Sequence, residues 1–412
     1  MEVRFVLALL LALMLAVSSL LDAPAEWTQF RLNAASNAVI PGTLSVRWTR
    51  TFRGGFSSSP TLAGGSLFVA DNAGELAALD PVTGRTRWLF RAFNPLMSAP
   101  LVYRGLVIVG EGNADPMLGT PEHPVRVGSH ASELIAVDAR TGELRWRRPL
   151  PGSAMPTPAI VGGVLVQHSG GGFLSAFDPR DGRPLYQVNL SSIASMSAIL
   201  PVGDGSYVTS GALTNALWRL HAQTPGILWK HEFDVRASGM GDCPAASAGG
   251  LIFCNYLRTR KPAYQNLIGD PVRMHAFAVD MQTGVLAWDV ALESGTLKPR
   301  NEAAIPLATP DTVFEGSSVA PYMHALDART GRVRWRMKTR GVVKGGSVLN
   351  SGTLYFGDRA GYFYAVDART GRKRSEHRFA TQFNVGSPIL AGRTIVAGGF
   401  NGLLVAFPIG GA

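Results

Sequence analysis

Four short segments carry the chain's most reactive polar side chains: RASGMGDCP, LKPRNEAAIP, VVKGGS and FNVGSP. They hold Arg236, Asp242, Arg300, Asn301, Glu302, Lys344 and Asn384 in runs otherwise rich in glycine, proline and small apolar residues. Cations gathered in a concavity attract an anion strongly, because less water screens them there than on open surface. Asn301 and Asn384 would orient such a ligand through amide hydrogen bonds. The bland alternative is a solvated channel mouth with Arg300–Glu302 and Lys344–Asp242 ion pairs. No residue is assigned a catalytic role. The chain has no Gly-x-Ser-x-Gly nucleophile turn and no His-Glu-x-x-His zinc pair. His123 and His130 lie in one insertion and His221 at a turn, which makes no ligand cluster.

What must position these segments is a repeat. LAALDPVTGRTRW ends at Trp88, LIAVDARTGELRW at Trp146 and LSAFDPRDGRPLY at Tyr186. FAVDMQTGVLAW ends at Trp288, MHALDARTGRVRW at Trp335 and FYAVDARTGRKRS at Ser375, with a degenerate copy, LWRLHAQTPGILW, at Trp229. The apolar alternation ahead of each aspartate is a strand. Asp80, Asp138, Asp178, Asp280, Asp327 and Asp367 open a turn, where a carboxylate accepts backbone N–H groups. Gly84 and its counterparts follow where a left-handed conformation is wanted. The tryptophans then start an outgoing strand and offer apolar area to a neighbouring unit. Six of the chain's eight tryptophans, counting Trp48, hold this position, so they are structural.

A second hairpin, such as SSPTLAGGSLFVAD, precedes each motif. Four strands in roughly forty residues make one β-propeller blade. Seven blades are complete, and the last, NVGSPILAGRTIVAGGFNGLLVAF, lacks its outer strand. Residues 44–52, LSVRWTRTF, have the form of that strand, so the sequence predicts an all-β, eight-bladed propeller closed by its N-terminal strand. Strand order puts the Asp-x-x-Thr-Gly turns on one face. The insertions Glu111–Ser132, Leu257–Arg273 and Gly316–Pro321, and the four polar segments, fall on the other, with Ser57, Ser58 and Ser59 across the mouth. Met97, Met155, Met196 and Met240 recur near first-strand starts, as gap-fillers around a narrow axis.

Composition agrees. The 412 residues include 47 glycines and 26 prolines, and 17% are charged. Arg4, the apolar run from Phe5 and the small-x-small site Ala23-Pro24-Ala25 predict a signal peptide over 1–25, the alternative being an uncleaved anchor. An extension over 26–43 then leads to a propeller over 44–412. No cysteine lies near the cleavage site, which excludes a lipid-modified N-terminus and predicts a periplasmic or secreted monomer. Cys243 and Cys254 fall in one hairpin, CPAASAGGLIFC. A four-residue loop over Ser247–Gly250 would set them opposite each other, close enough for a disulfide in an oxidising compartment; another turn length would leave two thiols. The net charge of +10 suits anionic envelope surfaces or acidic partners rather than nucleic acid, given export.

The Ala-x-Asp-x-x-Thr-Gly-x-x-x-Trp repeat, over residues 44–408, resembles the pyrroloquinoline-quinone (PQQ) type propeller superfamily. That group includes quinoprotein dehydrogenases and BamB-type envelope propellers. The resemblance is specific for fold and permits two functions. One is a non-catalytic scaffold for an envelope protein or a small anionic ligand, without cofactor. The other is a PQQ-dependent alcohol or sugar oxidoreductase, with Ca2+ held by Asp242, Asn301 and Glu302. Against the second, the chain has no adjacent cysteine pair and no tryptophan in the funnel segments.

Overall fold

The computed structural model describes residues 48–112, 132–212, 215–240, 243–262, 265, 268–297, 303–380, 382–391 and 394–408. The predicted signal peptide, the extension over 26–43 and most of the Glu111–Ser132 insertion, with His123 and His130, lie outside them.

Eight antiparallel sheets form the ring. Blade 1 runs from the inner strand Thr61–Ala63 through Ser66–Ala70 and Glu75–Leu79 to the outer strand Thr86–Arg91. Blades 2 to 7 repeat that order. Blade 8 takes Ile389–Ala391, Thr394–Gly398 and Leu403–Pro408 from the C-terminal end and Trp48–Thr51 from the N-terminal end. The register runs from Trp48 opposite Ala406 to Thr51 opposite Leu403, so the ring is closed as the sequence predicts. The middle strands of blade 1, SLFVA and ELAAL, are buried at every position. Each middle strand has a blade on either side, which is why these strands are apolar throughout rather than alternating.

Turn chemistry fixes the strands. Asp80 Oδ1 accepts hydrogen bonds from the backbone N–H of Val82 and Thr83, at 3.0 and 2.9 Å. Gly84 follows at φ 69°. A side chain there would meet a second obstacle: a Cβ on Gly84 would lie 2.6 Å from the Trp48 ring. The same latch joins Trp88 to Gly142, Trp146 to Gly182, Trp229 to Gly284, Trp288 to Gly331 and Trp335 to Gly371. Five of these indoles, Trp48, Trp88, Trp229, Trp288 and Trp335, also donate Nε1–H to a carbonyl in the next blade's turn. In blade 3, Tyr186 replaces tryptophan and donates its hydroxyl to Ala222 O at 2.7 Å. At the odd turn of blade 4, His221 Nδ1 takes over the aspartate's acceptor role, toward Gln223 N–H at 3.3 Å.

Two expected details change. The CPAASAGGLIFC turn has two residues, Gly249 and Gly250, both at positive φ, not four. Ala248 pairs with Leu251, which slides the register by two positions relative to the expected pairing. An even slip keeps side chains on the same face. Cys243 and Cys254 therefore still meet, with Cα atoms 6.2 Å apart and sulfurs in bonding contact. The Leu257–Arg273 insertion is strand at its two ends: it lengthens blade 5's middle strands to Leu251–Thr259 and Pro271–Asp280, and the blade's outer strand runs Leu286–Thr296.

The fold predicts a two-step loss of stability in acid. His168 is fully buried; its Nε2–H donates to Ser192 O at 2.7 Å, so Nδ1 accepts from the Thr209 hydroxyl at 2.8 Å. Burial holds it neutral and lowers its pKa to about 4. The unfolded chain binds this proton near pH 6.5 and the folded chain near 4, so stability falls across that window, by on the order of 3 kcal/mol. The turn carboxylates act lower. Hydrogen bonds from Arg87, Arg145 and Arg334 hold Asp80, Asp138 and Asp327 at about 2, so their contribution is complete above about pH 4 and lost as pH falls toward 2. Denaturant midpoints measured from pH 8 to 2 should show both steps, and His168→Gln should shrink the upper one, to which His231 and His324, also lowered by burial, contribute the rest.

Candidate functional site

Of the seven candidate residues, Arg236, Lys344 and Asn384 are described; Asp242, Arg300, Asn301 and Glu302 lie outside the described residues. The structure brings Lys344 and Asn384 near each other. Gly345, beside the lysine, approaches the backbone so closely that a Cβ would lie 2.5 Å from Asn384 O. Both side chains are buried, at 1% and 4% exposure, rather than displayed at an open mouth. Lys344 O accepts the Ile305 N–H at 3.1 Å, and Asn384 Oδ1 is buried with no hydrogen bond among the described residues. Arg236 has a different setting. It is exposed and paired through two nitrogens with Asp234, which Arg258 also approaches at 3.5 Å.

Burial makes Lys344 part of the folded interior. Lys344→Glu should therefore lower stability by roughly 3 kcal/mol or more, the scale for an uncompensated buried charge. Arg332→Glu and Arg372→Glu, on exposed turns, should each stay within about 0.5 kcal/mol. Urea midpoints decide this; equal effects at all three positions would place the Lys344 ammonium in solvent.

The ring's axis is packed. A cavity there is lined by Ser57, Ser58, Ser59 and Thr157, by Met97, Met155 and Met196, and by Pro244, Ile305 and Val385. The serines and three of the four methionines thus meet as the sequence suggests, while Met240 is buried in the blade 5 core. The free space is about 20 Å³, room for one or two waters, whereas a cofactor-sized site takes roughly 300–1,000 Å³. The lining offers no carboxylate for a hard cation and no aromatic ring to stack on a quinone. Among the described residues, the axis does not fit PQQ with Ca2+.

One polar cluster escaped the sequence reading. On the lengthened blade 5, His275 Nδ1–H donates to Asp289 Oδ1 at 2.7 Å, and the Tyr256 hydroxyl donates to Asp289 Oδ2 at 2.7 Å. Burial would raise the Asp289 carboxyl, but the His275 and Tyr256 hydrogen bonds outweigh it and hold the group below its ordinary value. Burial, reinforced by that carboxylate, pushes the Tyr256 hydroxyl up. The usable signal was alternation: Tyr256 and Arg258 on one strand face His275 and Arg273 on the next.

A family model described as outer membrane protein assembly factor BamB matches residues 37–119, 112–196, 170–337 and 273–412. The chain belongs to this family. Its BamB relatives include that of Yersinia pestis, 22% identical over 73% of this chain and 61% of the relative. The tetrathionate hydrolase of Acidithiobacillus ferrooxidans is 22% identical over 90% of this chain and 83% of the enzyme. Among solved structures, BamB from Moraxella catarrhalis superposes with a TM-score of 0.66 at 16% identity, covering 89% of this chain and all of that one. A quinohemoprotein alcohol dehydrogenase from Pseudomonas putida HK5 gives 0.70 at 13% identity, over 94% and 81%. Such low identities establish the shared propeller fold. The BamB family therefore stands beside enzymes on one scaffold, and the site must choose between them.

Proposed function

We propose that this chain is an exported envelope scaffold that holds a protein partner against the outer edge of blades 3 to 5. The observation carrying this reading is a break in the repeat. In blades 1, 2, 6 and 7 the outer strand supplies Arg87, Arg145, Arg334 and Arg374, each paired with its turn aspartate at 2.7–2.9 Å. Blades 3, 4 and 5 carry Leu185, Leu228 and Ala287 there instead. Leu185, Ile227, Leu228, Val285 and Leu286 are 41–64% exposed on those three adjacent blades. Val82, Leu89, Phe93, Leu144 and Val333 are exposed on blades 1, 2 and 6, but seven of the twelve exposed large apolar side chains among the described residues fall on blades 3 to 5, and such a run marks an interaction surface. The BamB relatives, named as outer-membrane assembly factors, supply the kind of partner: a component of the outer-membrane protein assembly apparatus. The basic charge suits the anionic surroundings of an envelope.

The test is complementation. A strain lacking this chain should hold less folded outer-membrane β-barrel protein. The native sequence should restore it, and Leu228→Glu with Leu286→Glu should not, although the doubly substituted protein folds and accumulates normally. Full restoration by the double variant would remove blades 3 to 5 as the docking sector. A PQQ-dependent oxidoreductase is the competing reading, and the packed axis speaks against it.

A further inference from the structure

We propose that the lengthened blade 5 carries a hydrolytic site, with His275 Nε2 as general base and an anionic carboxylic ester as the substrate class. This goes beyond the scaffold reading and does not depend on it. Because the Nδ1 proton is committed to Asp289, the lone pair resides on Nε2. Nε2 makes no hydrogen bond among the described residues and is not fully buried, and the His275 side chain is 14% exposed, so solvent reaches it. The Tyr256 ring stacks on the imidazole, centroids 5.0 Å apart and planes 27° from parallel, and fixes its orientation. Tyr256 is itself 2% exposed and anchored to Asp289, so the support is rigid. A base held by a carboxylate with its second nitrogen free is the arrangement general-base catalysis requires.

The surroundings narrow the substrate. Arg258 and Arg273 pair across the two middle strands, one alternation beyond Tyr256 and His275 and therefore on the same face. Arg273 is exposed, and the Arg258 side chain is 40% exposed with its Asp234 contact at 3.5 Å, leaving donors for an anion. No serine, threonine or cysteine hydroxyl or thiol bonds to Nε2 among the described residues, so water is the nucleophile. Water oxygen adds to the ester carbonyl carbon as its proton passes to Nε2. The tetrahedral adduct then breaks its bond to the leaving alcohol oxygen, which takes the proton back from Nε2. Ester and water become acid and alcohol, and the imidazole is regenerated. Asp289 is a positioning residue that keeps the Nδ1 proton and stabilises the transient imidazolium. Tyr256, Arg258, Arg273 and, through Arg258, Asp234 are the other ionisable groups facing the ring.

The experiment follows nitrophenolate release from 4-nitrophenyl hemisuccinate and the neutral 4-nitrophenyl acetate, using the full chain between pH 5 and 8.5. His275→Asn keeps a donor toward Asp289 and removes Nε2; it should lower kcat/KM by roughly 10²-fold or more. Asp289→Asn should lower kcat at least tenfold and displace the pH–rate profile, which a purely structural role would not do. Arg258→Gln with Arg273→Gln should raise KM for the hemisuccinate at least fivefold more than it raises KM for the acetate. Circular dichroism and melting temperature confirm the fold of each variant, and His275→Gln replaces His275→Asn if the latter unfolds. Turnover no faster than equimolar free imidazole, or a folded His275 variant within twofold of the native rate, overturns the proposal. Neither result bears on complementation by the blade 3 to 5 surface, so the two readings fail separately.

Discussion

Removing residues 44–52 destroys the cooperative fold of the whole ring rather than trimming a tail. Trp48 lies over Gly84 of blade 1 and donates to Pro81 O at 3.0 Å, tying blade 8 to blade 1. Phe52 is buried against Phe56, ring centroids 5.2 Å apart, and its N–H donates to Gly402 O at 2.8 Å. Losing either aromatic costs about 3–5 kcal/mol, and domains of this kind have only about 5–15 kcal/mol in total. The deletion also exposes the edge of Leu403–Pro408, an invitation to pair with another chain. Thermal unfolding and size-exclusion chromatography should show a lost or much lowered transition and aggregation. An unchanged melting temperature with a monomeric elution would contradict ring closure through this strand.

Trp335→Ala should destabilise the protein by about 3–5 kcal/mol without affecting solubility of the folded fraction. The indole is 9% exposed, donates to Ala368 O at 2.9 Å and packs 6.0 Å from the Phe314 ring. A Cβ on Gly371 would lie 2.7 Å from it, so the neighbouring blade has been cut to fit this ring. Truncation removes the packing and the hydrogen bond to the half-buried Ala368, two costs that add. Ser375 holds the same position in blade 7 but is exposed, so Ser375→Ala should change stability by less than about 0.5 kcal/mol. Guanidinium midpoints compare the two; a loss below about 1 kcal/mol for Trp335→Ala would place the indole at the surface.

The fold was legible because its signals are local. An aspartate that caps its own turn, a glycine with φ near 70° and a tryptophan spaced behind it are all set within a dozen residues, and they recur. Closure needed one further step, noticing that blade 8 lacked a strand and that residues 44–52 had no blade. The cysteine pair survived a wrong turn length because strand parity tolerates a slip of two. The candidate site was harder. Lys344 stands as far ahead of its hairpin as Ser57, Met97 and Met155 stand ahead of theirs, yet charge alone suggested a solvent-facing cation. Its burial follows from how eight blades converge, which no single blade reveals. The Tyr256–His275–Asp289 cluster draws on three strands, and the segment joining the first two read as a loop insertion, so their register stayed hidden. Loss of the outer-strand arginine in blades 3 to 5 was visible in the repeat itself, but its exposure was not.

The central proposal is that this propeller works through its surface, with an axis that, among the described residues, is too tightly packed to hold a redox cofactor. Its most direct test is the native mass and absorbance spectrum of the protein recovered from the envelope of a PQQ-producing host. The structure leads us to expect the mass of the polypeptide alone and no chromophore beyond the aromatic side chains. A mass increment matching one quinone, with its absorbance above 320 nm, would contradict the account and move the chain among the oxidoreductases.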